Sequence, residues 1–517
     1  MPNRSRPLLF AFTSLFLVCA KTLNAAPPNV LVIYTDDQGY GDASCLNPKS
    51  KFDTPSLDRL AAEGMTFTDA HCSDTVCTPS RYGLLTGRYS WRTTLKRGVY
   101  GAEKTCLIPD ERMTLASLLR DSGYATAMVG KWHLGMDFPG DRQSRDWTQP
   151  VRDMPLDKGF DYFWGIPASM NYGVLAWFEG RFAEVPPTQY TQKKPNQIAI
   201  SDYRIRPPYD TELRKPGTTN ELGVVRGQLE IAPDFVDSEC LTRFTDKALE
   251  WIQSQAESAR NGKPFFLYLP YTSPHKPVIP IERFRGQSEA GAYGDFMMET
   301  DWHVGRILDL LDQEKLAEDT MVIFTSDNGP ETTWKERAKR FAHQSNGPYR
   351  EGKRSIYEGG HRVPMFVRWP AKVKAGAICD QPICQTDLLA TLAAITDQSI
   401  PANAGEDSVS FHDVLIDQEA KLDRAPIIHH SASGGFAIRD GDWKLVMETK
   451  SKKQKRELYN LATDPGETEN VIEQYPEVAD RLAETISDIV RQGRSTPGPA
   501  QENDTPWWDD LVWMDRF

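Results

Sequence analysis

Cys77 opens a short run of residues whose types and spacing suit chemistry on an anion. In Cys77-Thr78-Pro79-Ser80-Arg81, the proline lies two residues after the cysteine and the arginine lies four residues after it. Proline favours the first turn of a helix, which makes Cys77 or Thr78 the expected cap. The N–H groups and the dipole at a helix start attract an anion. The run therefore predicts a cysteine beside a bound anion, and the alternative is a structural cysteine paired with Cys72.

Four polar groups follow four short apolar runs that are typical of buried parallel strands. In open parallel sheets, ligands bind beyond the carboxyl ends of the strands, so we expect the four groups to meet at one rim. The strands and the groups that follow them are Val30–Thr35 with Asp36-Asp37, Thr126–Val129 with Gly130-Lys131-Trp132-His133, Phe265–Leu269 with Ser273-Pro274-His275, and Met321–Thr325 with Ser326-Asp327-Asn328-Gly329.

The polar groups include a set of oxygen ligands that suits a hard divalent cation. Asp36, Asp37, Asp327 and Asn328 offer three carboxylates and an amide oxygen. These are ligands that Ca²⁺ or Mg²⁺ prefers, rather than zinc. Either pair alone is more typical of a turn or a helix cap. Because each pair directly follows an apolar strand, the two pairs together favour a metal site.

A second set of side chains is cationic and suits the cleavage of an anionic ester. Lysine and arginine can neutralise the non-bridging oxygens during cleavage, and a histidine can protonate the leaving oxygen. A single lysine or histidine in a loop is more often solvated than catalytic, but the context Gly130–Gly135 and the glycines around Lys353 favour tight loops that approach a ligand. The candidates are Arg81, Lys131, His133, His275 and Lys353.

Helical patterns alternate with the four strands. This alternation predicts an α/β fold with a large, mainly parallel sheet between helices. The clearest helices are expected at Ser56–Glu63, Thr114–Ser122, Cys240–Gln255 and Asp295–Leu311. Residues 180–237 are polar and rich in proline, and we interpret them as an insertion over the sheet edge or the active-site rim.

The sequence changes character near residue 425. Short runs at Phe436–Arg439, Trp443–Val446 and Glu457–Tyr459, joined by turns such as Asp440-Gly441, predict antiparallel strands. A helix is expected over Glu477–Gln492, and the aromatic, acidic stretch Trp507–Trp513 is expected to pack on the body. We therefore predict a catalytic domain over residues 27–424, and a small C-terminal α+β subdomain with its tail over residues 425–517.

The first 25 residues are typical of a secretory signal peptide. Arg4 and Arg6 precede the apolar run Leu8–Ala20, and small residues follow near Ala25. The alternative is a membrane anchor, but a span needs about 20 apolar residues and Lys21 ends this run earlier. We expect an exported protein, periplasmic or extracellular, without an integral membrane segment.

The net charge of the chain narrows the classes of molecule that it can bind. The chain has 517 residues and a net charge of −12. This charge argues against nucleic acid as a partner, although a local cationic pocket can coexist with an acidic surface.

Six cysteines remain besides Cys19 in the signal and Cys77. A local Cys379–Cys384 bridge and free buried cysteines both stay open as interpretations.

Together these motifs resemble those of the type I sulfatases of the alkaline phosphatase superfamily, including the arylsulfatases. The resemblance runs from Asn29 to about Asn470 and implies an alkaline phosphatase-like fold. Residues 180–237 and the region from about Trp334 to Asn346 match no motif of that family. The matching stretches are Asp36–Asp42, Thr54–Asp58, Cys77–Arg88, Gly130–Gly135, Ser326–Gly329, Tyr357–Pro364, Arg439–Leu445 and Glu457–Leu461.

The resemblance implies a formylglycine-dependent mechanism. A dedicated maturation enzyme would oxidise Cys77 to formylglycine (3-oxoalanine), whose aldehyde hydrates to a gem-diol. One hydroxyl would attack sulfur and displace the alcohol, and the second would help to eliminate sulfate. The same resemblance implies one Ca²⁺ per chain, bound by Asp36, Asp37, residue 77, Asp327 and Asn328.

The resemblance also assigns the cationic residues. Arg81 and His133 would hold the hydrated aldehyde, Lys131 and Lys353 would bind the sulfate oxygens, and His275 would protonate the leaving alcohol. Asp327 is a candidate to take the proton of the nucleophile. Outside the resemblance, we expect substrate specificity to reside in residues 180–237 and in the region from about Trp334 to Asn346, with His343 and Arg354 as candidate substrate contacts.

The leading hypothesis is a secreted sulfuric ester hydrolase, and an exported enzyme of this kind meets sulfated glycans. One alternative is a phosphonate monoester or phosphodiester hydrolase with the same formylglycine. A third hypothesis is a non-catalytic protein that binds sulfated glycans. Degenerate metal or cationic positions would favour the third hypothesis, and the sequence has none at the matched motifs.

Overall fold

A ten-stranded sheet forms the centre of the protein. The structure is a computed structural model that describes residues 27–142, 144–192, 228–450 and 453–516. The predicted signal peptide and residues 193–227 of the predicted insertion lie outside the described residues. Within the described residues, the strands are β1 Asn29–Asp36, β2 Met65–Phe67, β3 Ala70–His71, β4 Ala125–Lys131, β5 Tyr162–Ile166, β6 Val174–Leu175, β7 Phe178–Glu179, β8 Phe182–Ala183, β9 Gln189–Gln192, β10 Gln228–Ile231, β11 Phe265–Pro274, β12 Thr320–Ser326, β13 Met365–Arg368, β14 Ala377–Cys379, β15 Ile383–Cys384, β16 Ile427–His430, β17 Phe436–Asp440, β18 Trp443–Lys450 and β19 Lys453–Asn460.

The large sheet has the order β14-β2-β13-β12-β1-β11-β4-β5-β7-β8. Its five central strands, from β12 to β5, are all parallel to one another. Towards the edges, β13 and β7 run antiparallel to the strands beside them. The predicted strands correspond to β1, β4, β11 and β12, which are adjacent in the sheet and buried on both faces.

Helices cover the sheet in two groups. Helix α5 packs on both α1 and α4; α4 and α5 cover central strands, and α1 covers β13 and β2. Helices α2, α3 and α8 form a second, mutually packed group. The four predicted helices are present as α1, α3, α4 and α5. The helices of the described residues are α1 Pro55–Glu63, α2 Cys77–Thr86, α3 Leu115–Asp121, α4 Cys240–Arg260, α5 Gly291–Gln313, α6 Trp334–Phe341, α7 Glu358–His361, α8 Leu388–Ile395, α9 His412–Ile416 and α10 Pro476–Gln492.

A separate antiparallel sheet of four strands, β16-β17-β18-β19, follows the main sheet in the chain. Helix α10 packs on β17 and β18, and the core of this region includes Trp91 from the body. Trp513 of the C-terminal stretch is buried in the same core, as expected. The α/β class and the small antiparallel sheet are thus confirmed, whereas the exact domain limits stay a prediction.

The cysteines of the described residues are all free. Cys379 and Cys384 therefore do not form the local bridge that the sequence left open, and Cys77 is not paired with Cys72. Among the described residues, the structure contains no helix that is long and apolar enough to cross a membrane.

Candidate active site

The register of the central strands brings the predicted polar groups to one rim. Thr35 of β1 pairs with Ser326 of β12, and Asp36 pairs with Pro274 of β11. The residues that follow these positions therefore lie at the same edge of the sheet. They include Asp37, Asp327 and His275, as the strand ends predicted.

Two glycines allow unusually close approaches of the backbone at this rim. A Cβ atom on Gly130 would lie 2.1 Å from the carbonyl oxygen of Pro270, and Gly130 has a φ of 137°. A Cβ atom on Gly329 would lie 1.9 Å from the carbonyl oxygen of Gly359. Because such contacts exclude a side chain, glycine is needed where β4 reaches Lys131 and where the turn after Asn328 meets α7.

Three buried carboxylates lie together at the rim, and their charges shape one another. The backbone N–H of Asp37 donates to Asp327 Oδ1 at 3.2 Å. Burial and the neighbouring Asp36 raise the pKa of Asp327 to about 7 despite Arg81. Burial also favours a raised pKa at Asp36, but Lys131, His275 and Arg81 outweigh burial and hold that pKa well below its usual range.

Three oxygens of this group have no hydrogen-bond partner among the described residues, although all three are buried. They are Asp36 Oδ1, Asp37 Oδ2 and Asn328 Oδ1. Asp36, Cys77 and Asp327 also each offer one possible ligand atom, and these three atoms lie within 4.8 Å of one another. Buried polar atoms are normally satisfied, so unpartnered oxygens beside three carboxylates fit a hard divalent cation such as Ca²⁺. The residues present therefore fit the predicted metal.

Cys77 is the first residue of α2 and is almost fully buried. The cap is Val76, whose extended backbone precedes the helix without a capping side chain. The expectation that Cys77 or Thr78 would be the cap is wrong, because α2 begins two residues before Pro79. The Sγ atom still lies at the helix start, where N–H groups lack intrahelical partners.

Three cations surround the carboxylates and Cys77. Arg81 donates from Nε and Nη2 to Asp327 Oδ2 at 3.2 and 2.9 Å. Lys131 pairs with Asp36, and Lys353 pairs with Asp37. The Lys353 ammonium also lies 3.8 Å from Cys77 Sγ. Each cation is thus held by a carboxylate, and Lys353 also lies beside the cysteine, where an anion can be bound.

Two histidines complete the cluster, and each has one ring nitrogen fixed by a carbonyl group. His275 Nδ1 donates to the Lys276 carbonyl at 2.6 Å, and its Nε2 faces Asp37 Oδ2 at 3.8 Å. His133 Nε2 donates to the Tyr100 carbonyl at 3.0 Å, while Nδ1 has no partner among the described residues. Burial lowers the pKa of His275 to about 4. Burial, Lys131 and Arg81 hold the pKa of His133 well below its usual range.

Comparisons with known proteins identify the family of the chain. The sequence model of the Sulfatase family matches residues 28–398, and that of the C-terminal region of N-sulphoglucosamine sulphohydrolase matches residues 350–492. The chain belongs to the sulfatase family. This sulfatase is 33% identical to the N-acetylgalactosamine-6-O-sulfatase of Bacteroides thetaiotaomicron over 90% of this chain and 94% of that protein. It is 31% identical to human arylsulfatase A over 89% of this chain and 86% of that protein.

Solved structures agree with the fold. A structure from work on the metabolism of multiple glycosaminoglycans by Bacteroides thetaiotaomicron has a TM-score of 0.77 and 32% identity, and the match covers 90% of the sulfatase and 99% of that chain. The phosphonate monoester hydrolase of Agrobacterium radiobacter has a TM-score of 0.57 and 18% identity, with 90% and 96% covered. At that identity the second likeness concerns the fold alone.

The two predicted substrate contacts differ in their surroundings. His343 is fully buried, and its Nε2 donates to Asp42 Oδ1 at 2.8 Å while its Nδ1 accepts from the backbone of Lys51 at 3.3 Å. Both ring nitrogens of His343 are thus engaged, and this geometry does not favour a substrate contact. Arg354, which directly follows Lys353, is half-exposed and pairs with Glu331. Of the two residues, only Arg354 has a side chain that reaches solvent.

Sequence reasoning missed Tyr172, Lys276 and Glu331 near the site. The Tyr172 ring lies 5.5 Å from the His133 ring, and Glu331 pairs with both Arg354 and Lys276. Tyr172 belongs to no motif, so its position depends on tertiary structure. Lys276 directly follows His275 and Glu331 follows Asn328 by three residues, so proximity in sequence is the signal that could have found them.

Proposed function

We propose that this sulfatase is an exported hydrolase of sulfate esters on glycans, with Cys77 converted to formylglycine and with Ca²⁺ as the resident metal. The observation that carries the proposal is the position of Cys77 Sγ in a buried cluster. There it lies 3.8 Å from Lys353 Nζ and within 4.8 Å of ligand atoms of Asp36 and Asp327. A thiol, a metal-type oxygen set and fixed cations at one point suit cleavage of an anionic ester.

The metal and the modification would supply the electrophilic and nucleophilic parts of the chemistry. Ca²⁺, held by Asp36, Asp37, residue 77, Asp327 and Asn328, would act as a Lewis acid. Formylglycine at residue 77 would supply an oxygen nucleophile together with a second hydroxyl for the release of sulfate. The unpartnered buried oxygens of Asp36, Asp37 and Asn328 support this ligand set.

The cations of the chain would bind and orient the sulfate group. Lys131 and Lys353 are fixed by Asp36 and Asp37, so their ammonium groups are already in place when the ester binds. Arg81 is held by Asp327 and by the carbonyl of Lys131 at 3.1 Å. Donors that are fixed before the reaction stabilise developing negative charge at low reorganisation cost.

The two histidines would handle protons and hydroxyl groups. His275 has its Nδ1–H on the Lys276 carbonyl, so Nε2 is the nitrogen that can carry a proton to the leaving oxygen. A bound sulfate group adds negative charge beside His275, which raises the pKa of that histidine towards the range of a general acid. His133 Nδ1 is buried and unpartnered among the described residues, so it can accept a hydrogen bond from a hydroxyl group on residue 77.

The proposed substrate and location rest on the relatives and on the N-terminal sequence. A related protein of Bacteroides thetaiotaomicron is named N-acetylgalactosamine-6-O-sulfatase, which supports a sulfated glycan as the substrate. The basic, apolar and small-residue pattern of the first 25 residues supports export to the periplasm or outside the cell. An exported sulfatase would meet such glycans there.

Mass spectrometry of the peptide that contains residue 77, combined with kinetics, tests the proposal. We expect aldehyde or hydrate at residue 77 in protein from its native host, and faster hydrolysis of an aryl sulfate than of an aryl phosphodiester. An unmodified thiol in active protein would contradict the formylglycine mechanism. Faster phosphodiester cleavage would favour the phosphonate monoester or phosphodiester hydrolase. Glycan binding by the matured protein without turnover would favour the non-catalytic alternative.

A further inference from the structure

Three charged residues form a cluster directly outside the proposed reacting groups. Glu331 is almost buried and accepts from Arg354 Nη1 and Nη2 at 2.5 and 3.0 Å and from Lys276 Nζ at 3.1 Å. The backbone and hydroxyl of Thr332 also donate to Glu331, at 2.8 and 3.0 Å. We call Lys276, Glu331 and Arg354 the rim cluster.

The chain connects the rim cluster tightly to the site. Lys276 follows His275, and Arg354 follows Lys353. Arg354 has a φ of 77° and its backbone N–H donates to the Thr75 carbonyl at 2.9 Å. A left-handed conformation is uncommon for arginine and is typical of functional sites. The backbone at residue 354 is thus fixed against the segment that leads into α2.

The rim cluster keeps a positive charge that faces outward. Glu331 has donors on both of its oxygens, so one carboxylate serves two cations. Burial favours a raised pKa at Glu331, but Arg354, Lys353 and Lys276 hold it well below its usual range, so the carboxylate stays ionised. The Arg354 side chain is 45% exposed and that of Lys276 is 18% exposed. Glu331 takes one N–H from each terminal nitrogen of Arg354, and the remaining guanidinium N–H groups have no acceptor in the part of the chain that the structure describes.

The guanidinium group also lies within electrostatic range of the site. Hydrogen bonding to Glu331 is the main cause that raises the pKa of Arg354, and Asp37 and Cys77 contribute further. The reaction itself needs cations only around the scissile sulfate, where Arg81, Lys131 and Lys353 already lie. The positive charge of the rim cluster is therefore available to bind another group of the substrate.

We propose that the rim cluster is a subsite for a second anionic group on the substrate, next to the carbon that carries the scissile sulfate. Arg354 binds that group with its free N–H edge, Lys276 adds a second positive charge, and Glu331 is a positioning residue that holds both. The ligand chemistry is a carboxylate of a uronic acid or a second sulfate. The inference rests on the proposed function and narrows its substrate class to glycans with more than one anionic group near the cleaved ester.

The test compares matured wild-type enzyme with Arg354→Ala on three probes that differ in their second group. The probes are 4-nitrophenyl sulfate without another anion, 2-carboxy-4-nitrophenyl sulfate, and the bis-sulfate of 4-nitrocatechol.

We expect Arg354→Ala to raise KM by about tenfold for the carboxylated probe, the disulfated probe or both, because a half-exposed charge-assisted contact is lost. We expect kcat to be retained, and both parameters for 4-nitrophenyl sulfate to stay within about twofold. A selective effect on the carboxylated probe identifies a uronate subsite, and a selective effect on the bis-sulfate identifies a second-sulfate subsite.

Arg491→Ala is the matched control. Arg491 has a side chain 44% exposed and pairs with Asp488 at 3.2 Å, so the substitution removes a comparable surface ion pair in α10. It should change none of the three KM values. Lys276→Ala should act in the same direction as Arg354→Ala but by about threefold, since its contact with an anion lacks the planar fork of arginine.

Two outcomes would overturn the subsite. Equal KM changes on all three probes would mean that Arg354 serves the scissile sulfate or the local fold, and no change on any probe would mean that its charge is not used. Failure of the proposed function looks different, because wild-type enzyme would then hydrolyse none of the three sulfates.

Discussion

Two buried clusters of charged side chains in this sulfatase are built in opposite ways. The active-site cluster around Cys77 leaves oxygens of Asp36, Asp37 and Asn328 without partners among the described residues. A second cluster lies between the body and the C-terminal antiparallel sheet. Its polar side-chain atoms have hydrogen-bond partners, except for the two ring nitrogens of His429, which have none among the described residues. We call it the interface cluster, and it consists of Asp69, His71, Glu358, His361, His429, Arg439 and Lys444.

The interface cluster contains a continuous chain of hydrogen bonds. His71 Nε2 donates to Asp69 at 2.6 Å, and His361 Nδ1 donates to His71 Nδ1 at 3.0 Å. Lys444 donates to His361 Nε2 at 3.0 Å and to Glu358 at 2.9 Å. One set of neutral histidine tautomers satisfies these three histidine contacts. In that set His71 Nε2 does not accept from Arg439, and His361 Nε2 does not donate to the Ile356 carbonyl. The chain joins β3 and α7 of the body to β18 of the small sheet.

Three histidines in the interface cluster are near enough to share a metal ion, but their orientation does not suit one. Ring nitrogens of His71, His361 and His429 lie within 4.8 Å of one another. The rings of His361 and His429 stack at 3.7 Å with an angle of 13° between their planes. Because the lone pairs of imidazole lie in the ring plane, stacked rings cannot direct them at one ion.

The difference between the clusters indicates that the active-site cluster binds a ligand, whereas the interface cluster connects structural elements. A buried polar network that is nearly satisfied rigidifies the elements it joins. Unpartnered buried oxygens instead create a site that is complete only with a ligand. Changes in the active-site cluster should therefore affect turnover or metal binding, whereas changes in the interface cluster should affect stability.

Replacing Cys77 gives the largest expected effect on turnover. Cys77→Ala should reduce hydrolysis of an aryl sulfate by about 10⁴-fold or more, because the nucleophile is lost. The midpoint of thermal unfolding should change little, since Cys77 forms no disulfide. Cys45→Ala, which removes an exposed free cysteine, should keep full turnover. Retained turnover in Cys77→Ala would remove residue 77 from the mechanism.

Removal of calcium should have the second-largest effect on turnover. Chelation, or Asp37→Asn, should lower turnover by about a thousandfold, because the metal stabilises developing charge. Adding Ca²⁺ should raise the thermal midpoint of the wild type, since a ligand that binds only the folded state stabilises it. Asp37→Asn should lose that calcium-dependent rise. Asp69→Asn in the interface cluster should lower the midpoint but keep the rise, and loss of the rise there would contradict the comparison.

Breaking the interface cluster should affect stability instead of turnover. Lys444→Met removes the buried cation that pairs with both Glu358 and Glu467, and only Glu358 keeps a second cation, Arg362. Removal of one partner from a buried pair costs about 3–5 kcal/mol. Denaturant unfolding measures this loss, and the folded fraction should retain its kcat. Lys455→Met is the control in β19, where the lysine side chain is 53% exposed and pairs with Glu457. A change below about 1 kcal/mol is expected there.

The sequence predicted the active-site cluster far better than the interface cluster, for physical reasons. Parallel strands buried on both faces are nearly continuous apolar runs, so β1, β4, β11 and β12 were visible together with the polar residues at their ends. The strand ends then placed Asp36, Asp37, Asp327 and Asn328 at one rim by the geometry of the fold class alone.

The interface cluster had no comparable signal. Asp69 and Lys444 are 375 positions apart by their numbers, and no local pattern marks either as a partner of His361. Strands towards the edge of the sheet, such as β13 and β2, are short, so their antiparallel pairing depends on tertiary contacts. The helix start at Cys77 was missed for a related reason: the extended backbone of Val76 provides the cap, and a rule based on capping side chains does not detect it.

The two clusters also contain histidines with different expected roles. His275→Ala should slow hydrolysis of an alkyl or sugar sulfate by about a hundredfold more than that of an activated aryl sulfate, because only the poor leaving group needs a proton. His361→Ala in the interface cluster should lower stability and leave the ratio of the two rates unchanged. Equal losses on both substrates would remove His275 from the role of general acid.

The smallest expected effect concerns pH and His429. Burial, His71 and Lys444 hold the pKa of His429 well below its usual value, and Arg439 and His361 also face it, while Glu358 opposes them. The unfolded chain binds a proton below a pH of about 6.5, whereas the folded protein does not, so stability falls as the pH drops through that value. From pH 7.5 to pH 5.5 this histidine should cost about 1.4 kcal/mol of unfolding free energy. His429→Leu should reduce the difference between denaturant unfolding curves at the two pH values by about that amount. An unchanged difference would mean that His429 is protonated in the folded protein, and that the interface cluster holds an additional buried charge.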